Sequence, residues 1–146
     1  MKCALELKTI RAEADALYEE RERELDAKAM VKYQQSILNA IELCDTDVDN
    51  QLTEQANNRE KMRVKLIVKK YKDRLNNIMF TLVATDGITY ADGRPSYSEK
   101  DKLYAYEPFM DYLKAHCLTV NESTTTYYSF GLGALNGTLI TIEVGE

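Results

Sequence analysis

A chain of 146 residues, 45% of them hydrophobic, is long enough for one domain with a buried core and too apolar for wholesale disorder. Its net charge of −5 favours solubility and gives no general pull toward nucleic acid or anionic lipid. No apolar run approaches the roughly 20 residues of a membrane span, and the opening MKCALELKTIRAE becomes charged too early for a signal peptide.

The three cysteines, Cys3, Cys44 and Cys117, are odd in number and far apart, which reads as free thiols in a reducing cytosol. Up to Ala84 there is neither glycine nor proline; all six glycines and both prolines follow. This contrast predicts an α+β protein. Residues 1–84 are expected to form a long, coiled-coil-like helical hairpin that serves oligomerisation, and residues 85–146 a small domain of helix plus antiparallel sheet.

Along the first helix, Cys3, Leu7, Ile10, Ala14 and Leu17 are spaced 4, 3, 4, 3, the heptad spacing that keeps side chains on one stripe. Met30, Gln34, Ile37, Ile41, Cys44 and Val48 repeat it one residue out of phase. Between the two pieces lies the charged tract Glu19 to Asp26, where the helix either carries a stammer or bends.

The stretch LCDTDVDNQLTEQA follows. Its Asp45, Asp47 and Asp49 resemble the first three ligand positions of the EF-hand calcium loop, with Leu52 at the apolar eighth position. The resemblance is local and implies calcium at those three carboxylates. Asn50 stands where that loop has glycine, and Ala56 where it has a bidentate glutamate. The competing reading, and the favoured one, is the turn of a helical hairpin, with Asp47 or Asp49 capping the next helix.

That second helix is predicted from Val64, Val68, Tyr71, Leu75, Ile78 and Leu82, again at heptad spacing. It would begin with a basic run, Arg59 to Arg74, holding eight basic residues against two acidic ones. In a hairpin the end of this run would lie beside Glu19 to Asp26 and answer its charge. Arg59, Lys61, Arg63 and Lys65 would be left over as candidates for nucleic acid phosphates.

In the remainder, Asp86-Gly87 and Asp92-Gly93 are turn dipeptides around a short strand, ITYA. A helix is expected from Ser98 to about Cys117, restarting at Pro108, with Leu103, Tyr106, Phe109, Met110 and Leu113 as its apolar face. Three strands then follow, CLTV, TTYYSF and TLITIEV. In the last of them Ile140, Ile142 and Val144 alternate with Thr141 and Glu143. Seven of the ten tyrosines fall in this half. Tyr90, Arg94, Tyr97 and Tyr128 are the candidate patch for a ligand or a protein partner, because tyrosine combines a rigid ring with a polar tip.

No HExxH, CxxC or nucleophile-elbow motif occurs. His116 and Cys117 are adjacent, a poor geometry for a catalytic pair. A zinc site would need Cys3, Cys44, His116 and Cys117 to converge from distant segments. The expectation is therefore a cytoplasmic protein that is not an enzyme and holds no cofactor or metal. It would be a homo-oligomer, a dimer or higher, that inhibits or regulates a larger protein machine. Small size without catalytic motifs suits a viral or mobile-element product. The alternatives are a protein that sequesters a small ligand or nucleotide between protomers, and a nucleic-acid binder acting through residues 59–74.

Overall fold

A computed structural model describes residues 1–85, 102–129 and 133–145. The chain begins with α1, Ala4–Leu43, an unbroken helix of 40 residues and about 60 Å. Alanine, leucine, glutamate, lysine and arginine dominate it, and all are strong helix formers. It passes through Glu19 to Asp26 without interruption, supported on its exposed side by the ion pairs Arg11–Asp15 and Glu19–Arg23.

The aspartate stretch is neither a calcium loop nor a hairpin turn. Cys44–Val48 is a π-helical turn, and the helix goes on as α2, Asp49–Asn57. Thr46 Oγ1 bonds the Glu42 carbonyl at 2.7 Å, an interaction that loosens a helix locally. The wider turn re-phases the helix so that Cys44, Val48 and Leu52 all enter the core. The loop on which the calcium reading of Asp45, Asp47 and Asp49 depends does not form.

The expected second helix is a β-hairpin instead: β1, Arg63–Lys72, and β2, Ile78–Thr85. Val64, Leu66 and Val68 are buried while Arg63, Lys65 and Ile67 between them are partly exposed, which is the two-residue period of a strand. The β-branched Val64, Ile67 and Val68 favour that state. Asp73 makes the turn. Its Oδ1 accepts the backbone N–H of Leu75 at 2.9 Å and of Asn77 at 2.8 Å, and Asn76 takes the left-handed conformation at φ 63°. The heptad spacing of residues 64–82 arises from two strands read end to end.

Among the described residues the sheet has five antiparallel strands in the order β3-β2-β1-β5-β4. β3 is the two-residue Tyr104–Ala105, and α3, Tyr106–Ala115, follows it directly. Pro108 falls in the first turn of α3, where a missing N–H costs nothing. The helix therefore starts later than Ser98, and that residue, with the expected turns and strand of 86–97, lies outside the described residues. CLTV and TTYYSF are one long strand, β4, Leu118–Ser129, paired along its length with β5, Gly133–Val144.

β1 joins β5 through Val64↔Ile142 and Leu66↔Ile140, so strands from both sides of Ala84 share the sheet. The core fills the space between one sheet face and a helical layer of α3, the end of α1, the π turn and α2. Phe80 is its hub, stacked on Tyr104 at 5.1 Å between ring centroids, with Tyr106 and Phe109 edge-on to it.

Candidate interaction surface

α1 meets the domain along one face, through Tyr33, Ser36, Ala40 and Leu43. Ser36 and Ala40 are fully buried, and their small side chains let the helix come close. Asn39 Nδ2 donates to the Leu103 carbonyl at 3.1 Å, beside β3. This face is rotated from the heptad row of the second piece, of which Met30 and Gln34 stay exposed while Ile37 and Ile41 are half-buried.

The domain's grip ends at the β1–β2 turn. There Arg74 Nε donates to Asp26 Oδ1 at 2.7 Å, and its guanidinium also pairs with Glu22. Arg74, the last residue of the basic run, reaches the acidic tract, but from a strand turn and not from the helix of the expected hairpin, and Lys70 pairs with Glu122 instead. These groups remain partly exposed, so the pairing contributes less than about 1 kcal/mol. Arg74→Met is accordingly expected to leave global stability within that limit while speeding amide exchange in residues 22–29. Hydrogen-exchange mass spectrometry checks this.

Beyond that clamp the helix is bare. Every residue from 1 to 21 is exposed, so Ala4 to Arg21 forms an arm of about 27 Å. Leu7, Ile10 and Leu17, three members of the first heptad row, are 51%, 44% and 54% exposed. Isolated apolar residues on a surface are ordinary; these three share one stripe of the projecting helix, at the spacing of a coiled-coil seam.

Where the arm leaves the domain, Leu25, Ala29, Tyr71, Met79 and Leu103 line a groove of about 310 Å³, together with Lys28 and Lys32. Sequence reading missed this groove because its walls come from three distant segments.

It also missed what Asp45 does. Tyr112 Oη, on α3, donates to Asp45 Oδ1 at 2.5 Å, fastening α3 to the π turn. The His116 ring lies 4.4 Å from that of Tyr112, with Nδ1 2.8 Å from the Tyr112 carbonyl oxygen. The bond to Asp45, then burial, then the Asp45 charge hold the Tyr112 phenol above its usual range. Burial, and then Asp45, push the neighbouring Cys44 thiol up to about 12. Both groups thus keep their protons near neutrality, and a protonated thiol is a poor nucleophile.

The raised Cys44 value carries a pH dependence. The folded state binds this proton more tightly than the unfolded chain. Its contribution is therefore complete below the ordinary value of 9.0 and is lost as pH rises toward about 12. The slope is about 1.4 kcal/mol per pH unit for one group. Urea unfolding at about pH 8 and pH 10.5 should show Cys44→Ala losing less stability between the two than the parent chain. Equal losses in both chains would contradict this.

The other candidates are dispersed. Cys3 stands at the far end of α1 from Cys44, and Cys117 is exposed in the left-handed conformation after α3, at φ 62°. Cys3, Cys44, His116 and Cys117 do not converge, and among the described residues no group of three or more His, Cys, Asp or Glu could hold a metal ion. Tyr90, Arg94 and Tyr97 lie outside the described residues. Tyr128 pairs with Ala134 on β4, while Tyr104 and Tyr106 belong to the core.

Of the basic candidates, Arg59 and Lys61 are exposed before β1. Arg63 is tied by its backbone to the Gln55 side chain at 2.7 Å and sits 3.7 Å from Glu143. Lys65 pairs with Thr141 on β5. They lie on a strand and its approach, not along one stripe of a helix. Further along, Lys70 sits 4.4 Å over the Tyr106 ring and 3.2 Å from Glu122.

No protein-family model matches the chain, and comparison with curated proteins and with solved structures finds no significant match. Among the described residues no helix is long and apolar enough to cross a membrane.

Proposed function

We propose that this chain is a non-catalytic interaction protein, a small intracellular inhibitor or regulator. In this reading it assembles through the projecting arm of α1 and binds a larger protein machine with its sheet domain. The observation that carries the reading is the row Leu7, Ile10, Leu17, exposed on a helix that its own domain leaves uncovered.

Light scattering across a dilution series tests the assembly. A mass near twice 16.7 kDa that falls on dilution is expected. A mass of 16.7 kDa at every concentration would refute it.

The groove at Leu25, Tyr71 and Met79 favours a second reading, sequestration of a small ligand. Its apolar lining, with Lys28, Lys32 and Arg74 against the one carboxylate of Asp73, fits an anionic amphiphile. Such a ligand would raise the melting temperature of the protein by binding the native state. A fatty-acid titration that leaves the melting temperature unchanged would count against it.

A further inference from the structure

Heptad positions can be assigned along the bare arm from its apolar row. With Leu7 and Ala14 at a, and Cys3, Ile10 and Leu17 at d, the flanking g positions are Glu6, Glu13 and Glu20. The flanking e positions are Ala4, Arg11 and Tyr18. All six flanking residues are exposed and free of the domain. The row stops at Arg21 and Glu24, which take the next a and d positions. This is where the clamp from Arg74 to Glu22 and Asp26 begins.

The charges distinguish two ways of pairing a second copy. In an antiparallel pair, g faces g and e faces e, which sets the glutamates of one helix against those of the other. In a parallel pair each g residue faces the following e residue of its partner. Glu6 then meets Arg11, and Glu13 meets the Tyr18 hydroxyl, which can donate to it. Arg11 already contacts Asp15 of its own helix at 3.1 Å through Nε, and the remaining donors of its guanidinium fork stay available. The arm is therefore self-complementary in one orientation and self-repelling in the other.

We propose that two copies of this chain pair through their arms in parallel and in register, with Cys3, Leu7, Ile10, Ala14 and Leu17 of each facing the same residues of the other. This rests on the self-assembly proposed above and adds its partner, orientation and register. Both sheet domains then emerge at the same end of the pair, as a bivalent head on one stalk.

The test uses Cys3 as a reporter, in full-length chain carrying Cys117→Ser so that no other exposed thiol remains. Cys44 is buried and stays in place. A second chain carries Cys117→Ser, Cys3→Ser and Leu17→Cys. Leu17 is exposed, so folding does not depend on it, and circular dichroism verifies this. Each chain is treated with a short bismaleimide, alone and after mixing and exchange, at a concentration where light scattering gives the mass.

Parallel register predicts efficient 3-to-3 and 17-to-17 cross-links, at least tenfold above 3-to-17. It also predicts that Glu6→Arg weakens the pair about threefold, the scale of an exposed ion pair, and that adding Arg11→Glu restores it. A dimer mass with 3-to-17 as the dominant product would overturn the orientation while sparing the assembly. A monomer mass for the chain that keeps Cys3 and Leu17, with no 3-to-3 product, would overturn both.

Discussion

Replacing Phe80 by alanine is expected to cost about 3–5 kcal/mol of folding stability, the range for truncating a fully buried aromatic side chain. Phe80 is 0% exposed and touches three other rings from two elements. On β2 it pairs with Lys70 of β1 and with Tyr104 of β3, so it stands where the hairpin, the short edge strand and α3 meet. The cavity cannot close easily, because Tyr104 is held by the sheet and Phe109 by the helix. A domain of this size has about 5–15 kcal/mol in total, so the variant should unfold at a much lower urea concentration with an unchanged slope. Phe80→Leu keeps most of the volume and should cost no more than about 2 kcal/mol. A loss below 1 kcal/mol for alanine, measured by urea denaturation, would mean that this aromatic cluster is not the centre of the core.

The second large effect is on assembly. The double variant Ile10→Asp and Leu17→Asp should abolish the proposed dimer without unfolding the domain. Each side chain withdrawn from the seam forfeits about 1.5–3 kcal/mol of burial, and a dimer loses two from each copy. Since every 1.4 kcal/mol is tenfold in dissociation constant, the weakening exceeds about a thousandfold even before the repulsion of buried carboxylates is counted. Leu5→Asp is the control, because Leu5 is exposed but lies off the row. It should leave the mass unchanged. With Tyr18→Phe in every chain, near-UV circular dichroism from the remaining tyrosines should be the same in all three proteins, since the arm touches none of the core. An unchanged dimer in the double variant would move the interface elsewhere and remove the main support for the proposed function.

Several elements were legible from residue order. The helix-forming composition of residues 4–43 needs no partner to be read, and α1 runs through it, whereas the turn expected at Asp45 to Asp49 is helix. Tyr106, Phe109, Met110 and Leu113 form the buried face of α3, and Ile140 and Ile142 form that of β5, as their periods of 3.6 and 2 require. The apolar row of the arm, the main feature of the candidate surface, was also visible as a spacing. The hairpin of β1 and β2 was not. Val64, Val68, Tyr71 and Leu75 fit a heptad, while Val64, Leu66 and Val68 fit a strand, and over so short a window both periods are satisfied. The turn signal was present in Asp73, Asn76 and Asn77, but it is weaker than a glycine would have been.

What the sequence by itself determined is therefore local: an N-terminal helix with an apolar row, and short stretches whose pattern demands one buried face. Only the tertiary structure decided the rest. Residues 63–68 are held as a strand by β5, some seventy residues later, a pairing that no local period records, while residues 69–72 pair with β2 alone. Asp45 becomes a fastening for Tyr112 through a π turn that re-phases the helix. The same helix is covered on one face beyond Glu22 and bare all round before it, because the domain's contacts with it end at Arg74. Spacing specifies which side chains share a face; it cannot specify where along that face the neighbouring chain stops.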